Sequence, residues 1–387
     1  MRIEIRHRCD DFASYRAARV KSLFNCETGA NFALDAELPI ERDDWQLGVV
    51  VGPSGSGKSS IGAAIWGPEA VYRPTGWPDD APIVDAIGAG GAFDDATRAL
   101  SAVGLGSVPA WLRPYAVLST GERFRADLAR IVCDAPRRVV IDEFSSVVDR
   151  QVARIGAGAF ARAWRRGDPG QAPDRGPGQA VLLTCHYDVL DWLEPDWVFD
   201  TATGALRAGR CLWRRPKIRL AIHETDSRHW PLFEPHHYLK PNRMIAAFYY
   251  VGVVEGGLVA HVAVTTRPGL REARGARLVV MPEWQGAGIG LRFLNAVCER
   301  WRRGRNPYGR PMPTLFNTSH PGLAAALRRH PDWCQVSCNL HGQNKAKSRS
   351  SIAQSVLQSG RKDNASAGYG GHFRAAQGFR YMGEAAP

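Results

Sequence analysis

The sequence predicts an α/β domain over residues 1–213 followed by an α+β domain over 214–387, and three observations carry that division. At 387 residues with 44% hydrophobic side chains, the chain can bury a full core, and roughly 100–200 residues per domain makes it two domains. Charge is split unevenly: residues 1–213 hold 24 Lys and Arg against 28 Asp and Glu, while 214–387 hold 26 against 10, so a net +12 is the sum of a −4 part and a +16 part. Parts so different in charge meet different partners. Finally, each part contains an apolar strand running into a glycine-rich turn at a helix start, Leu47–Val51 before Gly52–Gly57 and Arg277–Met281 before Gly286–Gly290.

Several classes are excluded by the same reading. The longest apolar stretch, Ile245–Thr266, is broken by Glu255-Gly256-Gly257 and His261, so it reads as a hairpin of two strands and no membrane span is expected. The start, MRIEIRHRCDD, lacks the apolar core of a signal peptide. Eight cysteines at irregular spacing argue against a disulfide framework. A cytoplasmic protein is expected.

Gly52-Pro53-Ser54-Gly55-Ser56-Gly57-Lys58-Ser59-Ser60 lies between the run Leu47–Val51 and the helical stretch from Ile61, the strand–loop–helix setting of a P-loop. Glycines let backbone N–H groups turn inward around phosphate oxygens, and the helix start adds positive dipole. Gly52, Ser54, Gly55, Gly57 and Ser60 belong to that cradle, Lys58 reaches the β/γ phosphates, and Ser59 is a Mg²⁺ ligand. Downstream, Arg137–Ile141 reads as a buried strand ending in Asp142 and Glu143. Asp142 suits the metal shell, and Glu143 suits a general base acting on the attacking water.

Between these lies Leu118-Ser119-Thr120-Gly121-Glu122, followed by a helix over Arg123–Cys133. It resembles the LSGGQ/E signature of ABC-type ATPases, with Thr120 in place of a glycine. Ser145-Ser146-Val147-Val148-Asp149 resembles that family's D-loop, and His186, after the strand Ala180–Thr184, its switch histidine. The resemblance covers about residues 15–213. It implies a head-to-tail ATP-dependent homodimer in which each ATP meets Lys58, Ser59, Asp142, Glu143 and His186 of one chain and Ser119 and Gly121 of the other. It also implies an aromatic residue on adenine, Phe24 or Phe32. Lys58 and Ser119 are only 61 positions apart, with no glutamine between them, so the Q-loop residue is missing. A transporter subunit is thereby the last choice, and a soluble, ATP-gated dimer the better analogue.

Val198–Leu206 reads as a terminal hairpin, and Arg214-Arg215-Pro216 as the join. Arg166–Gln179 reads as a surface loop. The second domain reads as strand 218–223, helix near 226–239, hairpin 246–266, strand 277–282, helix 288–303, strand 313–318 and helix 322–330. Its central Gln285-Gly286-Ala287-Gly288-Ile289-Gly290 resembles the pyrophosphate loop of GNAT acyltransferases, over about residues 217–335. That resemblance implies acetyl-CoA or another acyl-CoA as cofactor, with the strand backbone at Val279 and Met281 on pantetheine and Gln285, Gly286, Gly288 and Gly290 at the pyrophosphate. The expected fold is therefore a P-loop ABC-type ATPase domain followed by an α+β GNAT-like domain.

The family's usual tyrosine is absent near Leu327, and Glu255 and Glu283 read as solvated carboxylates. Polar clusters at His236-His237-Tyr238-Leu239 and Asn317-Thr318-Ser319-His320-Pro321 make Tyr238 and Ser319 the catalytic candidates. The combination is similar to GNAT-like proteins fused to or beside ATPases in phages and mobile elements, Mom-type DNA-base modifiers included. His330, Cys334, Cys338 and His341 invite a zinc reading without a tight Cys-x-x-Cys knuckle. Arg300, Arg302, Arg303, Arg305, Tyr308 and Arg310 suit nucleic-acid or CoA phosphates, or a solvated helix end. The expected function is ATP hydrolysis coupled to acyl transfer onto a macromolecule. DNA-base modification, and an ATP-switched binding module with an inactive second domain, are the alternatives.

Overall fold

The computed structural model describes residues 1–8, 12, 14–24, 32–88, 91–167, 178–238, 244, 247–266, 272–340, 343 and 374–383. The chain forms two compact units, one of Met1–Ala89 with Pro114–Pro216, the other of Gly90–Arg113 with Lys217–Pro387. Gly90–Arg113, which lies inside the first domain in sequence, is thus part of the second unit. Most of the Arg166–Gln179 stretch falls outside the described residues.

In the first unit, β1 (Arg2–His7) pairs antiparallel with β2 (Phe32–Glu37), and α1 (Tyr15–Phe24) buries none of its residues. The main sheet contains β3 (Leu47–Val51), β4 (Val71–Tyr72), β5 (Arg138–Ile141), β6 (Gln179–Thr184), β7 (Trp197–Asp200) and β8 (Ala205–Ala208), in the order β4-β5-β6-β3-β7-β8. Its strands are parallel except for the β7–β8 hairpin. Every residue of β3 and β6 is buried, as continuous apolar runs in a parallel sheet covered on both faces should be. α2 (Lys58–Trp66), α4 (Thr120–Asp134) and α5 (Arg150–Arg166) follow β3 or precede β5 and β6. Val51 lies opposite Thr184, and Ile141 opposite Leu182. The carboxyl ends of β3, β5 and β6 therefore share one edge, the edge where ligands bind in such sheets.

The second unit has a sheet of β9 (Ala221–Thr225), β10 (Phe248–Val254), β11 (Gly257–Thr266), β12 (Ala273–Val280), β13 (Thr314–Thr318), β14 (Trp333–Asn339) and β15 (Ala376–Tyr381), ordered β14-β15-β13-β12-β11-β10-β9. The β10–β11 hairpin turns through Glu255 at φ 51° and Gly256 at φ 80°, the left-handed pair that suits a two-residue turn. Helix α6 (Ile289–Arg302) and helix α7 (Pro321–Arg329) connect β12 to β13 and β13 to β14. Phe293, Leu294, Val297 and Trp301 of α6 pack with Tyr250, Val262, Phe316 and Phe379 in the core. Among the described residues, β12 and β13 are the only parallel neighbours of this sheet, paired at Ala273–Gly275 with Thr314–Phe316. Both strands continue past that point without further pairing to each other, so they diverge.

The helix expected near 226–239 is instead three short helical pieces, Ser227–His229, Trp230–Phe233 and Glu234–His236. Pro231 and Pro235 remove the N–H groups that a continuous helix would need. β14 begins at the end of the span 217–335 that the sequence made interpretable, and β15 lies beyond it. α3 (Phe93–Ala102) and the helical turn Val108–Trp111 form most of the segment that joins this unit from afar.

Candidate functional site

In the first unit the glycine-rich loop closes on the end of β3. Gly52, at φ 152°, brings its backbone so near Thr201 that a Cβ would lie 2.0 Å from the Thr201 hydroxyl. Gly57, at φ 84°, starts α2 without a side-chain cap, so the first-turn N–H groups are free to meet an anion. The Lys58 ammonium donates to the carbonyls of Gly52 (2.9 Å) and Pro53 (2.7 Å). Ser56 and Thr201 hydroxyls are 2.6 Å apart, pinning the loop to the β7–β8 turn.

A cavity of about 410 Å³ opens here, and Ser54, Gly55, Gly57, Lys58, Ser59 and Ser60 line it together with Asp142, Glu143, Ser146 and His7. Asp142 follows β5, and its carboxylate accepts the Glu143 N–H at 2.8 Å. Glu143 and Ser145 hold left-handed backbone at φ 50° and 68°. Such non-glycine conformations are costly and tend to mark functional turns. Phe144 between them is buried and donates its N–H to the Leu183 carbonyl at 2.8 Å, which holds the strained turn against β6.

His186 lies past the end of β6, with Nδ1 3.3 Å from the Ser145 hydroxyl. Burial, then the nearby Arg150, lowers its pKa, favouring the neutral ring. Arg150 and Arg154 of α5 both pair with Asp188, fixing the His186 turn to the start of that helix. Ser119 is the N-cap of α4: its hydroxyl accepts from Glu122 N–H at 3.3 Å and Glu122 reaches back to the Ser119 N–H at 2.9 Å, a capping box. Gly121 has open space beside it, since a Cβ would meet only Val152 at 3.7 Å. Ser119 and Gly121 are not among the cavity-lining residues.

Phe24 is 72% exposed on α1, and the Phe32 side chain lies outside the described residues. His7, which the sequence did not single out, sits 2.8 Å from the Ser60 hydroxyl. No local pattern could have found it, because the contact spans 53 positions.

In the second unit the glycine loop follows β12, with Gly286 and Gly288 at φ 90° and 78°. A Cβ at Gly288 would meet nothing within 4 Å, and one at Gly290 only Val280 at 3.1 Å. This leaves the start of α6 open to a ligand. The strand backbone is less free than expected. Met281 donates its N–H to Val259 at 2.9 Å, and Val279 is paired opposite His261 on β11. The carbonyl of Val280 accepts from the Gln285 side-chain amide at 3.0 Å.

Tyr238 stacks on His237 at 5.0 Å and meets His320 edge-on at 6.0 Å. Leu239 lies outside the described residues. Ser319 is half-buried beside His320 at the start of α7. Leu327, where a tyrosine was missed, is fully buried. Glu255 is exposed at its turn and Glu283 half-buried before the loop. His261 is also fully buried, with Trp230 at 5.1 Å and Phe233 at 5.3 Å. The sequence showed it only as an interruption in an apolar run.

Among the described residues no cluster of His, Cys, Asp or Glu could hold a metal ion. His330 instead contacts Asn295 at 3.3 Å and accepts the Asp332 N–H, and His341 lies outside the described residues. The basic set is partly neutralised: Arg302 and Arg303 pair with Glu299, Arg300 with Glu224, and the Arg310 guanidinium lies over the Tyr308 ring. No helix among the described residues is long and apolar enough to cross a membrane.

No protein-family model matches the chain, and no curated protein matches it. Solved structures similar to it include two kinds. One is an ATP-binding cassette in a dimeric post-hydrolysis state with ADP and phosphate, at 12% identity and TM-score 0.33 over 46% of this chain and 89% of that one. A putative cobalt-transport ATP-binding protein is similar at 17% identity and TM-score 0.33, over 46% of this chain and 72% of that one. The other kind is the ribosomal-protein-S18-alanine N-acetyltransferase of Escherichia coli, at 13% identity and TM-score 0.29, over 43% of this chain and 97% of that one.

Proposed function

We propose that the chain is an ABC-type ATPase joined to a GNAT-like acyltransferase, hydrolysing ATP as a homodimer and transferring an acyl group from acyl-CoA to a macromolecule. One observation carries the nucleotide half: a single cavity is lined by Lys58, Ser59, Asp142 and Glu143 at the carboxyl ends of parallel strands. Lys58 exchanges its two loop carbonyls for phosphate oxygens, and the uncapped start of α2 supplies N–H groups to the same charge. Ser59 and Asp142 offer the hydroxyl and carboxylate that suit Mg²⁺, and these two residues would hold it. Bound there, the ion neutralises charge on the phosphate oxygens.

Glu143 is the general base that orients and deprotonates the attacking water. His186, biased towards its neutral form, can donate or accept one hydrogen bond at the γ-phosphate. Ser119 and Gly121 complete the site from a second copy of the chain. In that arrangement the Glu122 backbone N–H holds the Ser119 hydroxyl oxygen on its own helix and the Glu122 carboxylate takes the Ser119 N–H, so the next N–H groups of the first α4 turn are the donors left for phosphate.

The acyl-CoA reading rests on the open start of α6 behind Gly288 and on the divergence of β12 from β13. Tyr238 and Ser319 are its candidate acid and base. A catalytically silent second unit is the other reading, favoured by the buried leucine at position 327. DNA as the acceptor draws less support, because Arg300, Arg302 and Arg303 are already paired with carboxylates.

Steady-state phosphate release and equilibrium ATP binding test the nucleotide assignment. Glu143→Gln should lower turnover about 100-fold or more while ATP binding persists, whereas Lys58→Ala should weaken binding itself. Unchanged turnover in both variants refutes the assignment.

A further inference from the structure

The second unit contains one contact that its own sequence neighbours do not explain. The peptide of Gly106 is held at both ends: its N–H donates to the Gln285 side-chain carbonyl at 3.0 Å, and its C=O meets His320 Nε2 at 3.1 Å. Each partner is itself fixed. The amide of Gln285 donates to the Val280 carbonyl, and Nδ1 of His320 accepts the Leu323 N–H at 3.2 Å, capping α7. The His320 ring is thus a neutral Nε2–H tautomer, and burial lowers its pKa.

Packing reinforces this hold. Gly104, at φ 89°, lies so close to the glycine loop that a Cβ would be 2.3 Å from the Gln285 carbonyl oxygen. Trp111 meets the His320 ring edge-on at 5.3 Å and donates its indole N–H to Leu105. Gly322 of α7 approaches Ser101 of α3 so closely that a Cβ there would lie 2.2 Å from the Ser101 hydroxyl. Leu100, Val103, Leu105, Ala110 and Trp111 are buried.

What the contact does follows from β12. Met281 turns its N–H to β11, so by strand alternation Val280 presents its polar groups to the opposite edge, where β13 has diverged. That edge is the one an extended ligand could pair with. Its Val280 carbonyl is covered by the Gln285 amide, and Gly106 keeps Gln285 there.

We infer that residues 91–113 form an autoinhibitory latch: docking of Gly104–Gly106 holds Gln285 across the free edge of β12 and competes with an extended acyl-thioester ligand whose phosphate end would occupy the open Gly288 side. The latch rests on the acyl-CoA reading of this loop. Undocking exposes both Val280 and the face of the loop that Gly104 covers.

The test is acetyl-CoA binding by calorimetry to the full chain, with amide hydrogen exchange of residues 104–106 followed in parallel. Gly322→Leu wedges α7 from Ser101 of α3, and Gly104→Leu wedges the segment from the loop, and neither residue belongs to the proposed ligand site. Both should raise exchange at 104–106 and tighten acetyl-CoA binding roughly 5- to 30-fold, the worth of one or two lost hydrogen bonds. If the wild type binds acetyl-CoA and both variants bind it equally or more weakly, the latch is overturned and the ligand reading stands. If exchange rises in both variants and none of the proteins binds acetyl-CoA, the ligand reading falls, and the inhibitory role with it.

Discussion

The imidazole of His261 is fully buried, and its Nε2 has no hydrogen-bond partner among the described residues. Burial is the main cause that pulls its pKa down from 6.5 to about 4; Arg277, His229 and His237 add positive charge in the same sense, against the opposing hydrogen bond to the Arg277 carbonyl. A lowered folded-state pKa means that the unfolded chain binds the proton more readily. The stability this neutral ring permits is therefore complete above about pH 6.5 and is lost as pH falls towards 4, on the order of 3 kcal/mol in total. Urea midpoints measured across that window should fall steeply for the wild type and less steeply for His261→Leu. Equal slopes would show that other groups control the acid limb. At the same scale, Lys58, Ser59, Asp142 and Glu143, which line one cavity, were readable as candidates because each sits in a short motif. His7 and His261 were not, since their meaning comes from neighbours on other strands.

Among the elements, α4 fastens two neighbouring segments of its unit through one side chain. Asp127 on this helix accepts from the Tyr72 hydroxyl at 3.0 Å, the Trp77 indole at 3.1 Å and the Tyr115 hydroxyl at 2.7 Å. Trp77 stacks on Tyr115 at 4.7 Å, and the Arg130 guanidinium lies over the Trp77 ring, 4.9 Å from its centre. One carboxylate thus ties β4 and the turn before Ser119 to the helix that Ser119 caps. Asp127→Ala strands three donors and should cost about 3 kcal/mol, read as a lower urea midpoint at unchanged slope. Asp127→Asn, which keeps an acceptor oxygen, should cost less. Strand–loop–helix elements were legible in the sequence because apolar runs and glycines set them locally. The broken helical stretch at 227–236 was mistaken for one helix because its spacing is helical while its prolines forbid the bonds.

For the whole molecule, the division at residue 216 and the inclusion of residues 90–113 in the second unit set the next predictions. Truncation to residues 217–387 removes α3 and Trp111 from the surface of α7 and should lower the thermal midpoint by several degrees relative to the same unit in the full chain. An unchanged midpoint would mean that the segment adds nothing to that unit. The proposed latch is continuous in sequence with Pro114–Leu118 and Ser119, so with the proposed ATP site it carries an expected coupling to nucleotide. With Glu143→Gln protein, saturating ATP is expected to tighten acetyl-CoA binding about 5-fold or more by calorimetry. A coupling factor of one would leave the latch without a nucleotide trigger. This level of organisation was hidden from the sequence: Gly106 and Gln285 are 179 positions apart, and nothing local to either marks the other.

The same discontinuity imposes an order on synthesis. Residues 90–113 leave the ribosome long before α7 and the Gln285 loop exist, and at about 5–20 residues per second their partners follow roughly 10–40 s later. During that interval Leu100, Leu105 and Trp111, buried in the finished protein, have nothing of their own unit to cover them. The nascent chain must keep this segment out of the first unit's core and out of reach of other chains, so the yield of active protein should depend on translation speed and on holdase chaperones more than its size alone would suggest.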